Sequence, residues 1–278
     1  MSLEHSEVPS EVIGLIPAGG QATRLAPLPC SKEVYPVGFR VTDNNGGLRP
    51  KVVSHYLLEK MKWAGVNRAF IVLRTGKWDI PSYWGDGTLA NMHLAYLIMR
   101  VPYGPAYTLD QAYPFTRTAR VVFGFPDILF QPDDTFVHLL ARQMSSHADV
   151  VLGLFPAHDS RYMDMIDIDA TGQVREISLK PFQSRLIYAW VCAVWTPVFS
   201  QFMHDYLAAT LKGIHSASIK GAGGENPELT VGTVIQAAVK QGLKVHGVTF
   251  TTGSYVDIGT PDGLSKSIGA TNESPFSS

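Results

Sequence analysis

The sequence predicts an α/β fold built on a mixed, largely parallel central sheet with helices on both faces. Three observations carry this expectation. Short apolar runs of strand length recur at Val12–Ile16, Ala69–Leu73, Leu94–Met99, Arg120–Phe125 and Val150–Phe155, as buried parallel strands do. Segments with helical spacing lie between several of them, and alternation of that kind builds a parallel sheet. With 45% hydrophobic and 17% charged residues over 278 positions, the chain can also bury a core of the size such a sheet needs.

The first helix follows Lys51, where Val53, Leu57, Met61 and Ala64 share one face and Gly65 supplies the stop. Past residue 160 the texture changes. Met163–Asp169 and Gln173–Leu179 read as a hairpin closed by Asp169-Ala170-Thr171-Gly172, and Leu186–Trp195 as a further buried strand. Thr196 and Pro197 read as the cap and first-turn proline of a helix with Phe199, Phe202, Met203 and Tyr206 on one side. Thr230 caps another helix, which carries Val231, Val234, Ile235, Ala238 and Val239 and ends at Gly242; Thr260-Pro261 opens the last. Residues 213–228, rich in Gly and Ser, read as the longest loop, and the tail from Thr271 as frayed. No internal repeat is present.

Composition narrows the function classes. With 23 Lys+Arg against 24 Asp+Glu, a net charge of −1 gives no global electrostatic reason to bind nucleic acid or an acidic membrane. Leu186–Trp195 is about half the length a membrane-spanning helix requires. The opening MSLEHSEVPSE has no basic region before an apolar stretch, so no secretory leader is expected. Cys30 and Cys192, far apart and without metal spacing, read as thiols of a reducing compartment. The expectation is a cytoplasmic enzyme whose function resides in a site. His93, His138, His158, His204 and His215 show no pairing with a carboxylate at helical ligand spacing, which argues against zinc. Ser31 has no nucleophile-elbow pattern around it. The five tryptophans, Trp63, Trp78, Trp84, Trp190 and Trp195, read as core or pocket walls.

The segment that carries chemistry follows the first strand: Pro17-Ala18-Gly19-Gly20-Gln21-Ala22-Thr23-Arg24-Leu25, then Ser31-Lys32-Glu33-Val34-Tyr35-Pro36-Val37. A glycine-rich turn at the carboxyl end of a parallel strand lets backbone N–H groups approach a phosphate chain closely. Arg24 and Lys32, eight residues apart, then supply the charge that neutralises it. The turn lacks the Gly-Lys-Ser/Thr ending of a P-loop and the spacing of a dinucleotide fingerprint, so neither an ATPase nor a dehydrogenase follows. By spacing alone, a plain strand-to-helix turn stays open as a reading.

Here the sequence resembles the sugar-1-phosphate nucleotidylyltransferases, and among them the glucose-1-phosphate thymidylyltransferase and uridylyltransferase branch. That family's signature runs approximately GGxGTRLxPxT, then SK or PK, two or three apolar residues and PV. GGQATRLAPLPCSKEVYPV matches most of it. Further matches, in order, are GDGT at 85–88, PYGPA at 102–106, FGFPDILF at 123–130, the hairpin ending in Lys180-Pro181, and YVDIGTPDGL at 255–264.

The resemblance implies a fold of the nucleotide-diphospho-sugar transferase type, a single domain over 1–278 with a nucleotide-binding part at about 12–160 and a sugar-phosphate-binding part at about 161–270. It implies transfer of a nucleoside monophosphate from an NTP, dTTP or UTP foremost, to a sugar 1-phosphate, with release of pyrophosphate, in an enzyme that forms homo-oligomers. Arg24 and Lys32 would be catalytic, and Ala18, Gly19, Gly20, Thr23, Met99 and Gly104 would bind the nucleotide. Lys180 would contact the sugar phosphate, and Asp127 and Asp257 would hold Mg²⁺, a hard ion that takes carboxylates together with waters and substrate phosphates. Taken singly, each aspartate would serve equally as a turn or cap residue, and Lys180 as a solvated charge.

The departures fall in two groups. Ala22 stands where the family has the second glycine of its turn, adding a methyl group near the triphosphate. Met99 stands where a base-reading glutamine is usual, and a thioether cannot make paired donor and acceptor contacts. Ser178 and Leu179 replace the acidic pair before Lys-Pro that binds a sugar hydroxyl, and Ala193 replaces a glycine. Two further readings therefore stay open: a non-standard phosphorylated acceptor, or a weakly active regulatory relative that binds nucleotide or nucleotide sugar.

Overall fold

Leu15 and Ile16 are neighbours in the first strand, β1 (Val12–Ala18), so their side chains leave opposite faces, yet each is only 1% exposed. A strand buried on both sides needs cover on both sides. In the computed structural model, which describes residues 11–41, 46–100, 103–157, 159–219 and 229–269, helices supply that cover. After β1 come the ribbon strands β2 (Pro36–Val41) and β3 (Leu48–Val52), then α1 (Val53–Trp63), β4 (Arg68–Arg74), α2 (Asp79–Trp84) and β5 (His93–Met99). Next are α3 (Pro105–Asp110), α4 (Tyr113–Thr116), β6 (Arg120–Gly124), β7 (Ile128–Gln131), α5 (Thr135–Ser146) and β8 (Val150–Pro156). The chain continues through β9 (Met165–Ile168), β10 (Val174–Ser178), β11 (Tyr188–Trp195), α6 (Pro197–Ile219), α7 (Val231–Lys240), β12 (Val245–Thr249), β13 (Ser254–Asp257) and α8 (Pro261–Gly269).

The main sheet runs β12-β8-β11-β6-β1-β4-β5. β6, β1, β4 and β5 are parallel, as are β12 and β8, while β11 runs antiparallel between β6 and β8. The β9–β10 hairpin joins at the start of β11, where Ala189 pairs with Met165. On one face Leu15, Val121 and Phe123 pack with Leu109 of α3, Phe199 of α6 and Val234 of α7. On the other, Ile16 and Val122 pack with Met61 of α1, Trp84 of α2 and Phe136 of α5. Each large side chain so buried contributes roughly 1.5–3 kcal/mol.

Every strand anticipated from an apolar run is present, as is the α1 stop, with Gly65 at φ +85°. In the hairpin, Asp169 Oδ1 accepts from the Thr171 N–H at 2.8 Å and Gly172 takes φ +83°, so that turn has the chemistry its sequence foretold. Thr230 accepts from the Thr233 N–H at 3.1 Å and caps α7.

Other expectations need correction. Residues 213–219 continue α6 instead of forming a loop: once a helix is nucleated, each added residue gains a bond, and this offsets the poor propensity of Gly and Ser. The rest of that stretch, 220–228, lies outside the described residues, as do the opening segment to Ser10, Pro102, His158 and the tail from Thr271. α6 does begin at Pro197, but the Thr196 hydroxyl has no partner among the described residues, and its carbonyl instead accepts from Phe199 and Ser200. Trp63 and Trp78 are exposed. His138 pairs at 3.1 Å with Asp134, one helical turn away. No described helix is long and apolar enough to cross a membrane.

Candidate active site

Parallel strands deliver the loops at their carboxyl ends to one edge of the sheet, where ligands of such folds bind. The segments after β1, β5 and β6 meet there around a cleft of about 820 Å³. Gly19, Gly20, Thr23, Arg24, Lys32, Gly104, Asp127, Lys180 and Asp257 all line it. Ala18 ends β1 just beneath, 1% exposed. Met99 is also buried, at 4%, and does not line the cleft. It is the floor under the glycine turn: a Cβ built on Gly19 would come within 2.1 Å of Met99 Cε. Gly104 opens α3 at φ +105°, a conformation in which a side chain would be strained. Ala22 takes φ +53° without being glycine.

Asp127 and Asp257 lie 130 residues apart in sequence, and a small antiparallel ribbon brings them together. β13 pairs with β7 so that Asp257 faces Ile128, and the Ile258 N–H donates to the Asp127 carbonyl at 3.0 Å. Both carboxylates reach the same point beside Gly259, whose absent Cβ would sit 2.8 Å from Asp257 Oδ1 and 3.1 Å from Asp127 Oδ2. Lys32 forms an ion pair with Asp127, and Arg24 Nη2 lies 3.7 Å from Asp257. The cations and anions of the site thus interleave.

The charge states follow. Burial works against the Lys32 ammonium, but the charge and hydrogen bond of Asp127 outweigh it and hold Lys32 above its usual range. Asp257 is raised, first by burial and then by the Asp127 charge, against the Gly259 N–H, Lys32 and Arg24. Two crowded carboxylates, one of them pushed toward its neutral form, are a donor set that a divalent cation would satisfy. Among the described residues no cluster of three or more His, Cys, Asp or Glu exists for a metal.

Beneath Lys32 lies a group that sequence reasoning passed over. Glu33, 2% exposed, accepts from Lys77 Nζ at 2.6 Å, while its Oε2 has no partner among the described residues. Burial raises Glu33 against the pull of Lys77. The signal was a glutamate inside the apolar stretch that follows Lys32. GDGT at 85–88, by contrast, is a structural turn outside the cleft, in which Asp86 accepts from Thr88 at 3.0 Å.

The far end is formed by Lys180, Asp164, Trp190, Tyr162, Thr230 and Gly232. Lys180 takes φ +39°, a strained backbone for a residue with a Cβ. Leu179, where an acid was expected by likeness, is 44% exposed, and Ala193 is buried in the core of β11. Of this end the sequence singled out Lys180 as a phosphate contact and Trp190 as a core or pocket wall. Asp164, a charge between Met163 and Met165, was the available clue.

The family described as nucleotidyl transferase matches residues 13–273. Among solved structures, one described as a glucose-1-phosphate thymidylyltransferase from Bacillus anthracis, in complex with a sucrose, superposes with a TM-score of 0.74 at 19% identity, over 95% of this chain and 98% of that one. A UDP-glucose pyrophosphorylase complexed with UDP-glucose gives 0.72 at 15% identity, over 94% and 98%. At these identities the likeness is one of fold, the mixed and largely parallel sheet included. No curated protein matches the sequence.

Proposed function

We propose that this chain, which belongs to the nucleotidyl transferase family, transfers a nucleoside monophosphate from an NTP to a sugar 1-phosphate, releasing pyrophosphate and forming an NDP-sugar, with dTTP and UTP as leading donors. The observation that carries this reading is the meeting of Arg24, Lys32, Asp127 and Asp257 beside the Gly19-Gly20 turn. An oxygen of the acceptor phosphate attacks the α-phosphorus; its P–O bond forms as the bond to the leaving pyrophosphate breaks in line. Both partners are anionic, so the site must supply positive charge and hold them in line.

Arg24, from the flank of the turn, neutralises the triphosphate. Lys32, charged and buried, stabilises the charge that builds on the equatorial oxygens. Gly19 and Gly20 offer backbone N–H groups at a distance that side chains would prevent. Asp127 and Asp257 would hold Mg²⁺, which when bound would neutralise part of the triphosphate charge. The segment at about 12–160 provides the nucleotide side and about 161–270 the acceptor side, where Lys180 takes the acceptor phosphate. The test is pyrophosphate release across a panel of NTPs and sugar 1-phosphates with Mg²⁺. Release that needs both substrates supports the reading; none with any pair refutes it.

A further inference from the structure

Asp164 immediately precedes β9 on the acceptor side of the cleft, and the surrounding residues make room for its carboxylate. Trp190 Nε1 donates to Oδ2 at 3.3 Å. Gly232, in the first turn of α7, leaves the space that Oδ2 occupies: a Cβ there would lie 2.1 Å from Oδ2 and 3.1 Å from Leu179 Cδ2. Burial raises the Asp164 carboxyl, opposed by the Trp190 hydrogen bond and the Lys180 charge.

A carboxylate offers about four acceptor positions, and this donor leaves part of that capacity facing the cleft. That capacity is open to a ligand donor entering the cleft. The same wall carries the Lys180 ammonium and the rings of Trp190 and Tyr162. Cation, carboxylate and ring surface side by side match a ligand with an anionic group, hydroxyl donors and an apolar ring face.

We infer that Asp164 grips a hydroxyl of the acceptor while Lys180 holds its phosphate; this rests on the transferase reading. The acid comes from the head of β9, in place of the Ser178-Leu179 position at the end of β10. An acceptor bearing an added carboxylate at that hydroxyl would be repelled.

The experiment compares wild type with Asp164→Asn, which keeps an acceptor for Trp190, and with Gly232→Ala, which intrudes on the carboxylate while favouring the helix. KM is measured separately for NTP and for glucose 1-phosphate, together with kcat/KM for its monodeoxy analogues and with direct calorimetric binding of glucose 1-phosphate. The expected result is a 10–100-fold rise in the glucose 1-phosphate KM in both variants, about what a hydrogen bond to a charged group carries, with the NTP KM unmoved. One monodeoxy analogue should lose about as much against wild type and little more against Asp164→Asn. Turnover by wild type with an unchanged acceptor KM in the variants overturns the assignment and leaves the transferase reading intact. A parallel rise in both KM values with a lowered Tm assigns Asp164 a structural role and overturns it too. If wild type releases no pyrophosphate, the transferase reading fails, and calorimetry still decides: glucose 1-phosphate binding that is equal in wild type and Asp164→Asn, or absent from both, overturns the hydroxyl contact.

Discussion

At the phosphate end of the cleft Gly19, Gly20, Thr23, Arg24 and Lys32 come from one continuous segment, whereas at the acceptor end Asp164, Lys180, Trp190 and Gly232 come from the head of β9, the end of β10, β11 and α7. The first end is shaped by local backbone geometry. The second is shaped by how distant elements pack. The difference teaches where change is tolerated: a side chain at Gly19 would collide with Met99 beneath it, while the wall around Lys180 is assembled from separate elements and is fixed by none of them alone.

The comparison breaks most readily at the basic pair. Lys32→Ala or Arg24→Ala is expected to lower kcat by about 10²–10³-fold, the scale for removing a preorganised charged contact, with little change in acceptor KM. Steady-state kinetics with both substrates varied decides it, and near wild-type turnover would remove these residues from the chemistry.

Next in size is the carboxylate pair, which joins the two ends through the β7–β13 ribbon. For Asp257→Asn, the Mg²⁺ concentration giving half-maximal activity should rise about 10–100-fold, while the acceptor KM stays near its original value. A metal titration of activity reads both. An unchanged Mg²⁺ requirement would place the ion elsewhere.

A smaller effect concerns the base. Met99, where the family resemblance places a base-reading amide, is buried beneath the glycine turn and does not line the cleft, so it offers the base edge no polar partner, and discrimination among dTTP, UTP, CTP, ATP and GTP is expected to stay within about 1–3 kcal/mol. Measuring kcat/KM for the five with one sugar 1-phosphate tests it. A preference above about 10⁴-fold for one base would mean that polar groups elsewhere read its edge.

The smallest expected effect sharpens the view that local backbone geometry governs the phosphate end. Ala22 holds φ +53°, where an L-residue is disfavoured by roughly 1–2 kcal/mol. Glycine relieves that but costs chain entropy, so Ala22→Gly should raise stability by at most about 1 kcal/mol in urea unfolding. A loss of stability would show that the methyl group makes contacts worth more than the strain.

The sequence by itself determined the parallel strands, α1, the β9–β10 hairpin and its turn, the α7 cap and the phosphate-end segment. Each is written in a local pattern: an unbroken apolar run, a 3.6-residue repeat, an Asp-x-Thr-Gly turn, a glycine pair with its basic partners. Only the tertiary structure decided the rest. Strand order, with β11 antiparallel between β6 and β8, depends on which faces meet, and no single strand encodes that. The β7–β13 pairing joins segments more than a hundred residues apart, so the neighbourhood of Asp127 and Asp257 was reachable only by likeness. The burial of Glu33 against Lys77, and the fit of Asp164 into the space at Gly232, are pairings of one residue with one vacancy. Such pairings have no period and no fixed spacing, because the energy that selects them is the burial and satisfaction of polar groups in three dimensions, which a linear pattern does not carry.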